Sequence, residues 1–157
     1  MATRSILKYG DPTLRQISRP VDAFDTRLAA LIDDLRDTMR QAGGVGLAAV
    51  QVGILKRAAV VENEGVFYEL INPKIVKTAG ECSDLEGCLS VPDRRECVKR
   101  PETVVVRAYN RKGELFEIKV KGYTARAFLH EMDHMDGVLF VDLVSDGCGE
   151  GKKKKKK

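Results

Sequence analysis

An α+β fold, with largely antiparallel or mixed sheets packed around one central helix, is what this sequence predicts, on three observations. Apolar residues recur at helical spacing in only two places, near residues 25–41 and 124–135. Between them lie several short segments rich in β-branched and aromatic residues. These segments do not alternate with helices, so the βαβ order of a doubly wound parallel sheet is absent.

The first helix is predicted over residues 25–41, where Leu28, Leu31, Ile32, Leu35 and Met39 form one apolar stripe and Gly43-Gly44 stops it. Strands are predicted over residues 57–62, 66–72 and 74–78, with Asn72-Pro73 as a break between the last two. Residues 103–109 and 115–120 read as a hairpin joined by Asn110-Arg111-Lys112-Gly113. A last helix is predicted from Thr124, a good N-cap, to Met135, with Gly137 as terminator. Residues 138–143 form a short closing apolar stretch. Ala127, Phe128 and Leu129 make the last helix apolar enough to sit centrally.

At 157 residues the chain suits one domain with a genuine core. Its formal charge of +4 is misleading, because six of its 27 basic residues form the run Lys152 to Lys157. Without that run, 21 basic residues face 23 acidic ones, a body near −2. Such a body is not a nucleic-acid-binding surface, and no specific DNA binding is expected. The lysine run fits either weak attraction to RNA or an appended solubility tag, and is expected to be disordered. No apolar run has the length of a membrane span, and Met1 to Ser5 leads into no apolar leader segment. The expectation is a cytoplasmic protein that does not engage membranes. Cys82, Cys88, Cys97 and Cys148 have no regular spacing, which argues against a disulfide framework and leaves one of them available as a thiolate ligand.

The chain's two histidines both fall in His130-Glu131-Met132-Asp133-His134. On a helix, positions i and i+4 share a face, so both imidazoles can reach one metal ion. Glu131 lies on the adjacent flank, where a carboxylate can take a proton from an activated water. The bland alternative is two histidines lining a polar helix face. Two ligands do not complete a site. Downstream, Asp136 and Asp142 are conceivable thirds; upstream, Cys88 within Glu86-Gly87-Cys88-Leu89-Ser90 is another, although a cytoplasmic cysteine is more often a small buried hydrophobe. The segment Gly44 to Gln51 combines permissive backbone with one amide that can donate to an oxygen.

Gly44-x-Gly46-Leu47-Ala48-Ala49-x-Gln51, Glu86-Gly87-Cys88-Leu89-Ser90 and His130-Glu131-x-Asp133-His134 together resemble the three signature motifs of the bacterial, iron-dependent peptide deformylases, in the family's order. The resemblance runs from Arg4 to Val144. It implies a single catalytic domain over residues 1–144, with residues 145–157 as a disordered Lys-rich tail. It further implies that Cys88, His130 and His134 hold one Fe2+, for which Zn2+, Ni2+ or Co2+ can substitute. Glu131 is the implied general base and acid, and Gln51 with the backbone N–H of Leu89 the implied oxyanion site. Val45, Gly46 and Gly87 are expected to pair with the substrate backbone, with Arg95 at the mouth. Val45, Tyr123, Arg126, Ala127 and His130 are expected around the methionine side chain, the Arg126 stem lining the wall and its guanidinium reaching solvent. Glu86, Arg100 and Asp133 are expected to orient the ligands.

The implied activity is removal of the N-formyl group from the initiator methionine of nascent polypeptides, with transient contact to the ribosome near the exit tunnel. The long C-terminal helix of many members is not expected here, and the lysine run is an electrostatic substitute for it in ribosome docking. Two alternatives stand beside this reading: a zinc metallopeptidase of the His-Glu-x-x-His type, and a non-catalytic metal- or RNA-associated protein.

Overall fold

The computed structural model describes residues 2–148. Two helices, α1 (Thr26–Gln41) and α2 (Gly122–Met135), accompany seven strands: β1 (Gly46–Ala48), β2 (Ala58–Asn63), β3 (Val66–Ala79), β4 (Cys82–Cys88), β5 (Val91–Arg100), β6 (Thr103–Tyr109) and β7 (Leu115–Lys121). Five strands form one sheet in the order β1-β2-β3-β6-β7, and β4 pairs with β5 in a second. Every pairing between named strands is antiparallel. The chain thus has the expected α+β class.

The large sheet is covered on both faces, which explains the run Ala58-Ala59-Val60-Val61 in β2, where all four residues are buried. Ala58 and Val60 pack with Leu28, Leu35 and Met39 of α1. Val61 packs with Phe128 and Leu129 of α2, and Ala59 with Met135. A strand buried on both sides shows a continuous apolar run rather than alternation, because successive side chains enter different cores. Helix α1 begins where Asp25 accepts from the Leu28 N–H (3.1 Å) and ends at Gly43, whose φ of +73° suits the left-handed stop.

Several boundaries differ from expectation. Asn72-Pro73 does not end a strand; β3 continues through it, with a register shift between Ile71 and Lys74. Asn72 takes a left-handed φ of +52°, and its side chain accepts from Val21 N (2.8 Å) and donates to Val21 O (2.9 Å), so the bulge replaces its lost ladder bonds. Thr124 is not the cap of α2. The helix starts after Lys121, and the Thr124 hydroxyl accepts from Asn63 Nδ2 (2.9 Å) instead. Strands β1, β4 and β5 were not anticipated. In β5, Pro92, Asp93, Arg94 and Arg95 are exposed, so a polar segment pairs through its backbone without an apolar stripe to announce it.

The segment after α2 makes a 3-10 turn at Phe140–Leu143, and Val144 then pairs with Val98 of β5. Ser145 N donates to Cys97 O (2.8 Å), which lays the chain along β5 and brings Cys148 into a disulfide with Cys97. Residues 145–148 thus lie beside β5, and Cys97 and Cys148 form a disulfide, against the expectation of none. Irregular spacing hid it, because the partners stand 51 positions apart and are brought together only by tertiary pairing. The lysine run lies outside the described residues. No described helix is long and apolar enough to cross a membrane.

Gly137, just past α2, has a φ of +75°, and a Cβ there would lie 2.5 Å from the Arg15 carbonyl oxygen. Gly137→Ala therefore meets both backbone strain and a backbone clash, with an expected loss of about 1–3 kcal/mol. Urea unfolding measures it; an unchanged midpoint contradicts the account.

Candidate metal centre

Helical geometry places His130 and His134 one turn apart on α2, with their Nε2 atoms 3.2 Å apart. Cys88 closes β4 against the same face, its Sγ 3.4 Å from His134 Nε2. The three donor atoms lie within 4.8 Å of one another. Both imidazoles are buried, at 7% and 1% exposure, so bulk water does not compete for their nitrogens. Two imidazoles and a thiol match the donors favoured by zinc and other late first-row divalent ions.

Behind His130 sits Glu86, also buried. Its Oε1 accepts from Arg100 Nε (2.9 Å) and Arg126 Nη1 (2.9 Å); its Oε2 accepts from Arg100 Nη2 (2.7 Å) and His130 Nδ1 (2.5 Å). An ionised carboxylate only accepts, so the proton belongs to His130 Nδ1 and its Nε2 faces Cys88 and His134 as a donor atom. Burial pushes the Glu86 carboxyl up, but the bonds from Arg100 and His130 prevail and hold it well below the usual carboxylate range. Arg100 also binds Asp133 (2.8 Å), whose carboxyl is raised by burial despite that guanidinium. Two arginines thus balance two carboxylates behind the centre.

Burial alone would depress the His130 imidazole, yet bonds to Cys88 and Glu86 and the Glu131 charge raise it well above its usual value. His134 goes the other way, lowered by burial and then by the His130 charge. Between these rings the protein favours one positive charge and resists two. A divalent ion held by both nitrogens and balanced by a Cys88 thiolate would present that same net charge. Among the described residues, His134 Nδ1 and Glu131 Oε1 are buried without hydrogen-bond partners.

Glu131 is 4% exposed, and burial pushes its carboxyl up to about 7. Such a carboxyl exchanges its proton near neutrality, as a general base and acid must. A Cβ at Gly46 would lie 2.5 Å from Glu131 Oε2, so only glycine lets β1 pass this carboxylate. The same close approach occurs at Gly44, where a Cβ would lie 2.5 Å from the Leu89 side chain. Gln51 is fixed at both ends of its amide: Oε1 accepts from Ala48 N (2.9 Å), and Nε2 donates to Ser90 Oγ (3.0 Å) with Cys88 Sγ at 3.6 Å.

A cavity of about 350 Å³ opens onto the centre. It brings together Val45, Gly46, Gln51, Glu86, Gly87, Cys88, Leu89, Arg95, Tyr123, Arg126, Ala127, His130 and Glu131. His134, Arg100 and Asp133 stand behind it. One expectation is corrected. The Arg126 guanidinium does not reach solvent; the residue is 5% exposed, and its head binds Glu86, Val98 O and Cys82 O. Sequence reasoning also passed over Ser90, whose buried hydroxyl holds Gln51; a serine between Leu89 and Val91 was the available signal.

Residues 3–149 match the family model described as polypeptide deformylase. Peptide deformylase 1 of Clostridium acetobutylicum is 53% identical over 150 residues, covering 95% of this chain and 99% of that protein. The crystal structure of a peptide deformylase from Legionella pneumophila superposes with a TM-score of 0.89 at 46% identity, over 92% of this chain and 87% of its own. A Met-Ala-Ser-bound class I type b peptide deformylase from Acinetobacter baumannii gives 0.86 at 35% identity, over 91% and 99%.

Replacing the thiol tests the donor set directly. Cys88→Ser is expected to weaken Co2+ binding by at least about tenfold, since soft thiolate strongly favours such ions. Titration of the metal-free protein measures it, and unchanged affinity removes Cys88 from the centre.

Proposed function

This chain belongs to the peptide deformylase family, enzymes that remove the N-formyl group from nascent polypeptides, and we propose that Cys88, His130 and His134 hold its metal ion while Glu131 moves the protons. The convergence of those three donors beside the buried Glu131 carboxylate carries this reading. We assign Fe2+ as the ion, with Zn2+, Ni2+ and Co2+ as substitutes, on the resemblance of the three motifs to the iron-dependent members of the family; a thiolate with two imidazoles accepts any of these ions. Bound there, the ion supplies Lewis acidity that brings a water's pKa to about 7.

The chain's own groups do the rest. Glu131 takes a proton from the attacking water and returns it to the departing amine, leaving formate and a free N-terminus. The Gln51 Nε2 and the Leu89 backbone N–H stabilise the developing oxyanion, each worth on the order of 3–4 kcal/mol when correctly aimed. Ser90 and the Ala48 N–H hold the Gln51 amide in place.

β1 and β4 each end a sheet, and residues of both line the cavity. Unpaired strand edges there allow the substrate to enter as an added strand against Val45, Gly46 and Gly87, with Arg95 at the mouth. Val45, Tyr123, Arg126 and Ala127 then surround its first side chain. A formyl group carries only hydrogen beyond its carbonyl, so a tight site can admit it and reject acetyl by steric clash. Glu86, Arg100 and Asp133 orient His130. The catalytic domain takes in residues 1–144, acting in the cytoplasm with the ribosome as a transient partner; the nascent-chain substrate supports both.

Anaerobically prepared, iron-loaded protein is expected to release formate from formyl-Met-Ala-Ser. Metal-bound protein with no formate release overturns the reading, and cleavage of unformylated peptides favours a general peptidase instead. Glu131→Ala is expected to keep its metal and lose about 10²–10⁴-fold in kcat. Near-normal turnover takes the proton-transfer role away from Glu131.

A further inference from the structure

Arg126, His130 and His134 lie at successive i+4 positions and so share one stripe of α2. Arg126 faces two ways. Its side chain lines the cavity beside Tyr123 and Ala127. Its guanidinium donates from Nη1 to Glu86 Oε1 (2.9 Å) and Val98 O (3.0 Å), and from Nη2 to Cys82 O (2.9 Å). Val98 and Cys82 belong to the paired strands β5 and β4, so two backbone carbonyls fix the head independently of Glu86. Glu86 in turn holds His130 Nδ1.

Arg100 also grips both oxygens of Glu86, so Arg126 is not the only guanidinium on that carboxylate. What Arg126 adds is a link between the cavity wall and the imidazole. We propose that Arg126 is a positioning residue that couples the pocket for the substrate's first side chain to the orientation of His130. Its pinned head sets the pocket's depth, and the same head sets where Glu86 holds the ring. The proposal rests on the assignment of Cys88, His130 and His134 as ligands. A lysine keeps the charge and much of the stem but lacks the planar fork that satisfies three acceptors at once.

The test compares wild type with Arg126→Lys in two measurements. The first is Co2+ affinity of the metal-free protein, followed by thiolate-to-cobalt charge-transfer absorbance. The second is the ratio of kcat/KM for formyl-Met-Ala-Ser over formyl-Ala-Ala-Ser. Coupling predicts that Co2+ binding weakens about 10–100-fold, the range expected when a ligand's outer partner is lost. It also predicts that the preference for methionine falls several-fold in the same protein. If either measurement stays at its wild-type value, the coupling is refuted; a lowered melting temperature alone marks a structural arginine. Should the lysine variant not fold, Arg126→Gln, which leaves Glu86 and its bonds from Arg100 and His130 in place, carries the same two measurements and criteria. Failure of wild type to develop the charge-transfer band overturns the ligand assignment and the proposal with it, an outcome distinct from an unresponsive variant.

Discussion

Glu86 receives four hydrogen bonds from three side chains, Arg100, Arg126 and His130, in a region almost closed to solvent. A buried carboxylate is tolerable only when its lone pairs are met by donors, and here two guanidinium groups and an imidazole meet them. The consequence runs outward from that carboxylate. It fixes the tautomer and tilt of His130, and it ties β4 to α2 and to β5. Removing one partner from such a cluster leaves an uncompensated buried charge, typically costing about 3–5 kcal/mol. The network therefore serves the fold and the metal centre through the same bonds.

The rest of the architecture brings chain edges to that point. The large sheet is clamped between α1 and α2, so β1 can end it as its terminal strand without losing its place. The two-stranded sheet presents β4 beside the same cavity, with Cys88 at its end. Between these edges lies room for an extended peptide, and beneath it the carboxylate of Glu131. Gly46 is a point of close approach in this arrangement, because a Cβ there would lie 2.5 Å from the Glu131 carboxylate.

Elements held by local rules were legible in the sequence. The stripe from Leu28 to Met39 specified α1, and Asn110 to Gly113 specified the β6–β7 turn, where Asn110 Oδ1 accepts from Lys112 N and Glu114 N. Strands β4 and β5 were not legible, because their exposed polar residues pair through backbone alone and carry no period-2 apolar signal. Asn72 misled for a related reason. A residue that ordinarily punctuates a strand is retained inside β3 because the distant Val21 backbone occupies its side chain.

By itself the sequence determined the His130, Glu131 and His134 arrangement, since helix geometry converts their spacing into a shared site without help from the remainder of the chain. It also determined, through three ordered motifs, the family to which the chain belongs. Only the tertiary structure decided that the Arg126 head turns inward, that Ser90 holds Gln51, and that Cys97 meets Cys148. Each of these depends on two segments far apart in sequence arriving side by side. Spacing along a chain records local geometry, whereas the burial that turns an arginine inward exists only once the sheets have closed around it.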